Sequence, residues 1–538
     1  MTLETKQRSS GSKHRLDSLV HSWSLCLLGL IVVGFLVNGC TMVGPDFVQP
    51  TADVSQEWIE AKNARVKTGP PDFKNWWKVF NDPALDQLIQ TAYEQNLPLR
   101  IAGVRVFEAR AQLGIVIGEF YPQVQEGFGS ASYNRLSKRA PTAPQDGDAD
   151  FSFRQADLGV GASWELDFWG KFRRAIQSAD ASFLNSIAEY DDVLVSLTAD
   201  VARTYILLRT FEERLKIARE NLVVQQESLR IARARFEGGA TSERDVQQAL
   251  TQLNGTEATI PFLEIGVLKT LNALSILLGM PPGQLHDLLS GSSEIPRAPL
   301  EIAVGIPAEL LRRRPDIRSA ELQAASQSAL IGVAKAELYP SFSLTGSFGF
   351  LSSDAGTFDL SDIFMWKSRT ATFGPSFQWN ILNYGRLSNN VRVQDARFQA
   401  LLLNYQETVL RAQQEVEDGL VDFLKAQEIV SYLSKGVAAA KRSADLALIQ
   451  YSEGATDYTT VLTAQQALLE QQDRLAGGQG DVPQGLIAVY RALGGGWELR
   501  EDQDFIPVEV KEVMEERTDW GELLSPDKKD IVIRTPDW

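Results

Sequence analysis

A cysteine that directly follows a small residue at the end of an apolar run is the clearest piece of chemistry in this 538-residue chain. In Leu36-Val37-Asn38-Gly39-Cys40, small Gly39 stands at a cleavage site and the Cys40 side-chain thiol accepts diacylglycerol, so a covalent lipid (palmitate) on Cys40 is the expected attachment and no other cofactor is. The other cysteine, Cys26, lies upstream of that cut, which leaves the mature chain no disulfide and no thiolate metal site. His14 and His21 are removed with it. His286 remains, in a loop after Pro281-Pro282-Gly283, and one imidazole cannot build a poly-histidine zinc site. Carboxylate pairs at Asp191-Asp192 and Glu212-Glu213 could be offered as acid–base groups, but they stand on helical runs without a glycine-rich phosphate loop or a ligand cluster. Solvated or intersubunit charge is the better account of them. The chain is therefore read as no enzyme, and no metal is expected.

The segment around Cys40 is an address. Lys6, Arg8, Lys13 and Arg15 form a basic stretch before the apolar 25–36, so residues 1–39 read as a lipoprotein signal peptide. Thr41 follows the cysteine, where an aspartate would favour retention at the inner membrane, and outer-membrane sorting is expected. Removing the signal (+4 and −2) takes the net charge from −16 to −18, which excludes a generic nucleic-acid binder. No apolar run of eighteen residues follows the N-terminus, so no helical membrane span is expected.

Behind the address lies a duplication. Trp164 falls on Trp379, Gly239-Ala240-Thr241 on Gly454-Ala455-Thr456, and Leu278-Gly279 on Leu493-Gly494, each 215 apart (379 − 164). One inserted residue would rotate a helix face by about 100°, so an unbroken register means two copies of one unit. Residues 40–95 form an arm, in which Asp82 and Pro83 start a helix and Trp76-Trp77 pack inward. Residues 96–279 are the first repeat, 280–313 a linker, 314–494 the second repeat, and 495–538 an acidic tail read as draped and aperiodic.

Each repeat opens with a helix that stops at Tyr121-Pro122 or Tyr339-Pro340. A β-hairpin comes next, 123–166 and 341–381. In 341–350, Phe342, Leu344, Phe348 and Phe350 alternate with serine, threonine and glycine. In 372–381 Phe373, Phe377, Trp379 and Ile381 do the same, as do Leu158, Val160, Ala162, Trp164 and Leu166 in the first copy. In 123–133, Glu126 sits on the expected apolar side. Segments of about ten residues with period two suit a transmembrane β-barrel, although a soluble two-layer sheet shares the period. Four strands cannot close a barrel, so a membrane reading forces assembly without fixing the number of copies.

The chain then enters proline-free helical runs at 171–237 and 386–452. Tyr190, Leu194, Leu197, Val201, Tyr205 and Leu208 form an apolar stripe, echoed by Tyr405, Val409, Ala412, Val416, Leu420 and Phe423. Such a helix would reach roughly 100 Å. Glycine turns at Gly238-Gly239 and Gly454 end the runs, Ser242 and Asp457 stand as caps of the return helices, and Pro261 and Pro483 should interrupt those helices.

The ordered set of motifs resembles the TolC-like outer-membrane factors, within them the lipoprotein branch of nodulation-type efflux proteins. The motifs are Val43-Gly44-Pro45-Asp46-Phe47, Trp76-Trp77-Lys78-Val79-Phe80, Arg313-Arg314-Pro315-Asp316, Gly332-Val333-Ala334-Lys335-Ala336, Tyr339-Pro340 and Val461-Leu462-Thr463-Ala464-Gln465-Gln466. The resemblance covers residues 40 to about 496. It implies a mainly α fold with a membrane β-barrel, and a homotrimer with a twelve-stranded barrel in outer-membrane lipid over an α-helical periplasmic tunnel. It implies a mixed belt made from the arm, the 280–313 linker and the tail. The partners it implies are a periplasmic adaptor and an inner-membrane pump of the RND type, with no nucleic acid. Such a protein is the passive exit duct of a tripartite efflux system. In that family the closed tip is held at the second turn, by a tyrosine that matches Tyr451 and a glycine that matches Gly454. A family arginine falls on Thr456 and two acidic pore positions fall on Thr460 and Thr463, so Asp457 is the candidate for a pore-narrowing ring. Asp457 as a helix cap stands beside that reading. The adaptor-contact candidates are Gly238, Gly239, Ser242 and Thr456. A periplasmic coiled-coil adaptor or structural lipoprotein is the alternative, but it would carry a lipoyl-like β module in place of alternating aromatic strands.

Overall fold

The computed structural model describes residues 41–524 except 68, 70–71, 138, 140–150, 286–287, 290–292, 306, 308–311 and 357. Cys40, the signal peptide, His286 and the end of the tail lie outside the described residues. In chain order the first elements are β1 (Val66–Lys67), α1 (Pro83–Gln95), α2 (Leu97–Gly118), β2 (Val124–Arg135), β3 (Ser152–Leu166), α3 (Lys171–Glu237) and α4 (Glu243–Leu277). Then come β4 (Ile302–Ala303), α5 (Pro315–Ala336), β5 (Ser341–Ser353), β6 (Arg369–Gln378), α6 (Arg386–Ser452), α7 (Tyr458–Ala492) and α8 (Val508–Arg517).

The duplication holds residue for residue in the helices. α2 and α5 have 22 residues each, α3 and α6 67, α4 and α7 35, so the length change between copies falls in the hairpins. Both apolar stripes are buried along their whole length. Pro261 and Pro483 do not interrupt anything, for α4 and α7 run on through them. A proline forfeits one hydrogen bond and crowds one carbonyl, and the long antiparallel contacts with α3 and α6 outweigh that local loss. α4 is long and apolar enough to cross a membrane by length and composition alone. It lies antiparallel to α3 as the return arm of a hairpin, and Phe262, Ile265 and Leu268 on its outer side are exposed in the single chain.

The strands form one antiparallel sheet, β2-β3-β5-β6, in which the two copies meet at β3 and β5. Residues directly opposed across antiparallel strands share a face. Val160 opposes Phe348 and Gly127, and Phe342 opposes Leu166 and Phe377, which assembles one apolar face. That face is open, with Val160 61% and Phe373 82% exposed. Glu126 is not on it. Glu126 opposes Gly161, which opposes Ser347, so it stands on the small polar face while Gly127, Gly129 and Ala131 give β2 a weak apolar side. Alternation within β2 is ambiguous, and only the register to β3 decides it. The last strand is also displaced. β6 ends at Gln378, and Trp379 and Ile381 leave it because the chain turns towards α6 through Tyr384 and Gly385, both at positive φ.

The Trp379 indole donates to the Leu338 carbonyl at 3.0 Å, as the Trp164 indole does to Phe120 at 3.1 Å. Each copy thus ties its hairpin to the end of the preceding short helix. Asp82 caps α1 through the Ala84 and Leu85 amides at 2.9 and 3.2 Å. Trp76 is fully buried and stacks on Tyr490 at 5.4 Å.

Arm, linker and tail meet near the middle of α3. β1 pairs with β4, Arg313 pairs with Glu498, and Arg500 grips Asp191 with two bonds of 2.6 and 3.0 Å. Two sequence expectations change here. Asp191 is buried and held within its own chain, not solvated, because the tail brings it a guanidinium. The tail is not aperiodic: it forms α8, and Ile506, Met514 and Leu524 pack on Phe107 of α2. A ten-residue helix is too short to stand alone, yet its apolar residues suffice where a ready-made helix face receives them.

Candidate functional site

The turns between long and return helices are built alike. Gly239 and Gly454 take the left-handed conformation, with φ 71° and 78°. The Ala240 amide reaches back to the Arg235 carbonyl and the Ala455 amide to Gln450, each at 2.8 Å. That pattern closes the last carbonyls of α3 and α6. Gly238 stays at negative φ, so the freedom that only glycine has is used at Gly239 and Gly454 alone.

The return helices start differently in the two copies. Asp457 is the N-cap of α7: its carboxylate accepts from the Thr460 amide and hydroxyl, both at 3.1 Å, and the Thr456 hydroxyl donates to Thr460 at 3.0 Å. Ser242 holds the same place before α4, yet its side chain makes no capping bond. The neighbouring Thr241 hydroxyl turns to Asp245 instead, and the Asp245 amide closes on the Ser242 carbonyl at 3.1 Å.

Asp245 is part of a latch between the two copies. The Tyr451 hydroxyl, on α6, donates to Asp245, on α4, at 3.4 Å. Arg235, on α3, donates to the Tyr451 and Ser452 carbonyls at 2.5 and 3.1 Å, and its guanidinium lies over the Tyr451 ring at 4.8 Å. Tyr458 packs edge-on against Tyr451 at 5.3 Å. Burial raises the Tyr451 phenol and pushes Tyr458 up to about 12, so both phenols stay protonated throughout the physiological range. Arg235 in this place caps the last carbonyls of a helix on the other hairpin, a position where a cation also meets the negative end of the helix dipole.

Above the latch the two hairpins face each other through polar side chains. Gln465 donates to Ser228 at 2.7 Å, Asn221 to Gln472 at 2.8 Å and Gln466 to Gln252 at 2.9 Å. One apolar cluster also spans both hairpins, with Leu229, Ala232, Val246 and Ala249 of the first packed with Ala447, Tyr451, Tyr458 and Val461 of the second. Amides exchange a protein partner for water at little net cost, whereas apolar faces do not. The polar part of the seam can exchange its partners for water, while the shared apolar cluster and the Arg214–Asp473 pair, with bonds of 2.7 and 2.9 Å, hold the hairpins together beside the latch.

Arg235, Asp245 and Tyr458 are not among the residues that sequence reasoning singles out. A signal is present: shifted by 215, Arg235 falls on Gln450, Tyr451 on Phe236, Asp245 on Thr460 and Tyr458 on Glu243. Each of those four latch positions differs between copies. The Asp457 cap gives a first prediction. Asp457→Asn, which keeps a capping oxygen and loses the charge, should retain wild-type conductance in planar bilayers. Asp457→Ala should cost about 1 kcal/mol of cap stability and raise the leak. Loss of cation preference in Asp457→Asn would instead establish a charge ring.

Known proteins share this architecture. The profile of the family described as "Outer membrane efflux protein" matches residues 88–280 and 306–495, one block per repeat. The solvent efflux pump outer membrane protein SrpC of Pseudomonas putida is 32% identical over 487 residues, covering 89% of this chain and 99% of its own. Nodulation protein T of Rhizobium leguminosarum bv. viciae is 29% identical, over 87% of this chain and 93% of its own. Among solved structures, the outer-membrane channel OprN superposes with a TM-score of 0.78 at 33% identity, over 85% of this chain and 99% of its own.

Proposed function

The chain belongs to the outer membrane efflux protein family, an outer-membrane channel of a tripartite efflux system, and we propose that three copies close one passive duct. The observation that carries this is the open sheet. Among the described residues the sheet has unpaired edges at β2 and β6 and an exposed apolar face, which cannot stand in lipid, so copies of it must close on one another; three copies, the number that the family resemblance implies, supply twelve strands and no edge. The exposed residues Phe262, Ile265 and Leu268 on α4, and Leu403, Leu410 and Val421 on α6, supply apolar faces for neighbouring chains along the helical part.

In this reading a lipid on Cys40 anchors each chain in the outer membrane, and the tunnel reaches into the periplasm. The turn ends, including Gly238, Gly239, Ser242 and Thr456, meet a periplasmic adaptor fed by an RND-type pump. Energy comes from that pump, so the duct needs no catalytic group. The solved-channel likeness and the alternating strands do not fit a coiled-coil adaptor. Cross-linking of purified outer membranes should give a ladder that stops at three chains, together with a heat-modifiable oligomer on gels. A ladder ending at two or four, or a soluble periplasmic monomer, would overturn the trimer.

A further inference from the structure

We propose that residues 42–46 form a strap that staples the two repeats together at the junction of sheet and helices, and that this strap couples an N-terminal lipid anchor to assembly of the channel. The proposal rests on the reading of Cys40 as lipidated, and assigns its placement to Gly44, Gly332 and Arg174.

The strap has a built seat. The Val43 amide donates to the Trp169 carbonyl at 3.0 Å, in the corner between β3 and α3. Arg174, 3% exposed at the start of α3, donates to the Val43 carbonyl at 3.2 Å, to the Gly44 carbonyl at 3.4 Å and to the Asp46 carboxylate at 2.8 Å. A fourth bond, to Gln177 at 2.9 Å, completes the guanidinium's partners within its own helix. A buried guanidinium held by two backbone carbonyls and a carboxylate of a remote segment is costly unless that segment is in place.

Glycine makes the passage possible at both levels. Gly44 has φ 101°, and a Cβ there would lie 2.4 Å from the Gly332 Cα of α5. A Cβ on Gly332 would in turn lie 2.8 Å from the Val43 carbonyl oxygen and 2.8 Å from Arg174 Cγ. The strap therefore touches the first repeat through Trp169 and Arg174 and the second through Gly332. The same corner is tied to the sheet, since the Trp169 indole donates to the Pro340 carbonyl at 2.8 Å, one residue before β5.

Cys40 lies two residues before Met42, a reach of about 7 Å of extended chain. A lipid on it holds the strap beside its seat at high effective concentration, and a seated strap fixes where the lipid enters the leaflet. Coupling of this kind is reciprocal.

The test measures lipid incorporation by metabolic labelling and the yield of heat-stable oligomer, for the full chain in its native membrane. Gly44→Ala and Arg174→Gln should leave lipid incorporation unchanged and lower oligomer yield at least roughly five-fold. Gly69→Ala, at an arm glycine whose added Cβ meets nothing within 4 Å, should match wild type. Cys40→Ser behind a cleavable leader should lower the yield too, and adding Gly44→Ala to it should lower it little further. Wild-type yield in both strap variants would overturn the strap. Strictly additive losses would leave the strap structural and overturn its coupling to the lipid. A wild-type chain without lipid would overturn the anchor reading itself, and this inference with it.

Discussion

Arg235→Ala is expected to give a channel that assembles normally and no longer stays shut. The guanidinium contributes two charge-assisted bonds to the α6 carbonyls and a cation–π contact with Tyr451, all between hairpins. Bonds of that type are worth about 1.5–3 kcal/mol when a charged partner is involved, so each chain should favour the parted state at least about tenfold more than before. Three chains multiply the effect if the tips part together. Asp245→Asn should act in the same direction and more weakly, because its bond to Tyr451 is long and an amide still accepts a hydrogen bond. Single-channel recordings and sensitivity to a large antibiotic that wild type excludes are the readouts. Wild-type conductance and sensitivity in both variants would show that the tie lies elsewhere. Assembly survives because Arg214 still grips Asp473 with bonds of 2.7 and 2.9 Å and the large core shared by α3, α6 and α7 is untouched.

Gly485→Ala is expected to damage assembly instead of gating. A Cβ at Gly485 on α7 would lie 2.7 Å from the Phe423 nitrogen, 2.8 Å from its Cα and 3.1 Å from the Asp422 carbonyl carbon. These are backbone atoms of α6, so no side-chain rotation relieves the contact. Overpacking of this kind costs about 1–3 kcal/mol per site, and here it prises apart two helices that share a core with Leu420, Leu486 and Val489. The oligomer should dissociate at a clearly lower temperature, or fail to accumulate. Gly477→Ala, eight residues earlier in the same helix, meets nothing within 4 Å and should be neutral or slightly stabilising through helix propensity. Equal dissociation temperatures for the two variants would refute the close-contact argument.

The residues behind these two predictions separate what is legible in the chain from what is not. Gly454 and Tyr451 mark the turn in the sequence, and every residue of the 190–208 and 405–423 stripes that periodicity places inside is buried. Arg235 and Asp245 escape notice because each is an ordinary helix-surface residue in its own window. Glu126 reads onto the wrong face for a related reason: β2 alternates too weakly to orient itself. The tail reads as aperiodic because α8 is only ten residues long and depends on Phe107 of α2 for a core.

By itself the sequence determined the repeat, the lengths of the helices, the glycine turns and the apolar stripes. All of these depend on hydrogen bonds and side-chain periods that close within a few residues, and they are written locally. Only the tertiary structure decided that Arg235 caps α6, that Arg500 holds Asp191, and that Arg174 receives the strap. Those pairs lie 216, 309 and 131 residues apart. Whether such residues meet depends on how each helix is rotated and how far one slides along another, which is set by packing summed over the whole interface. A local pattern carries no information about either.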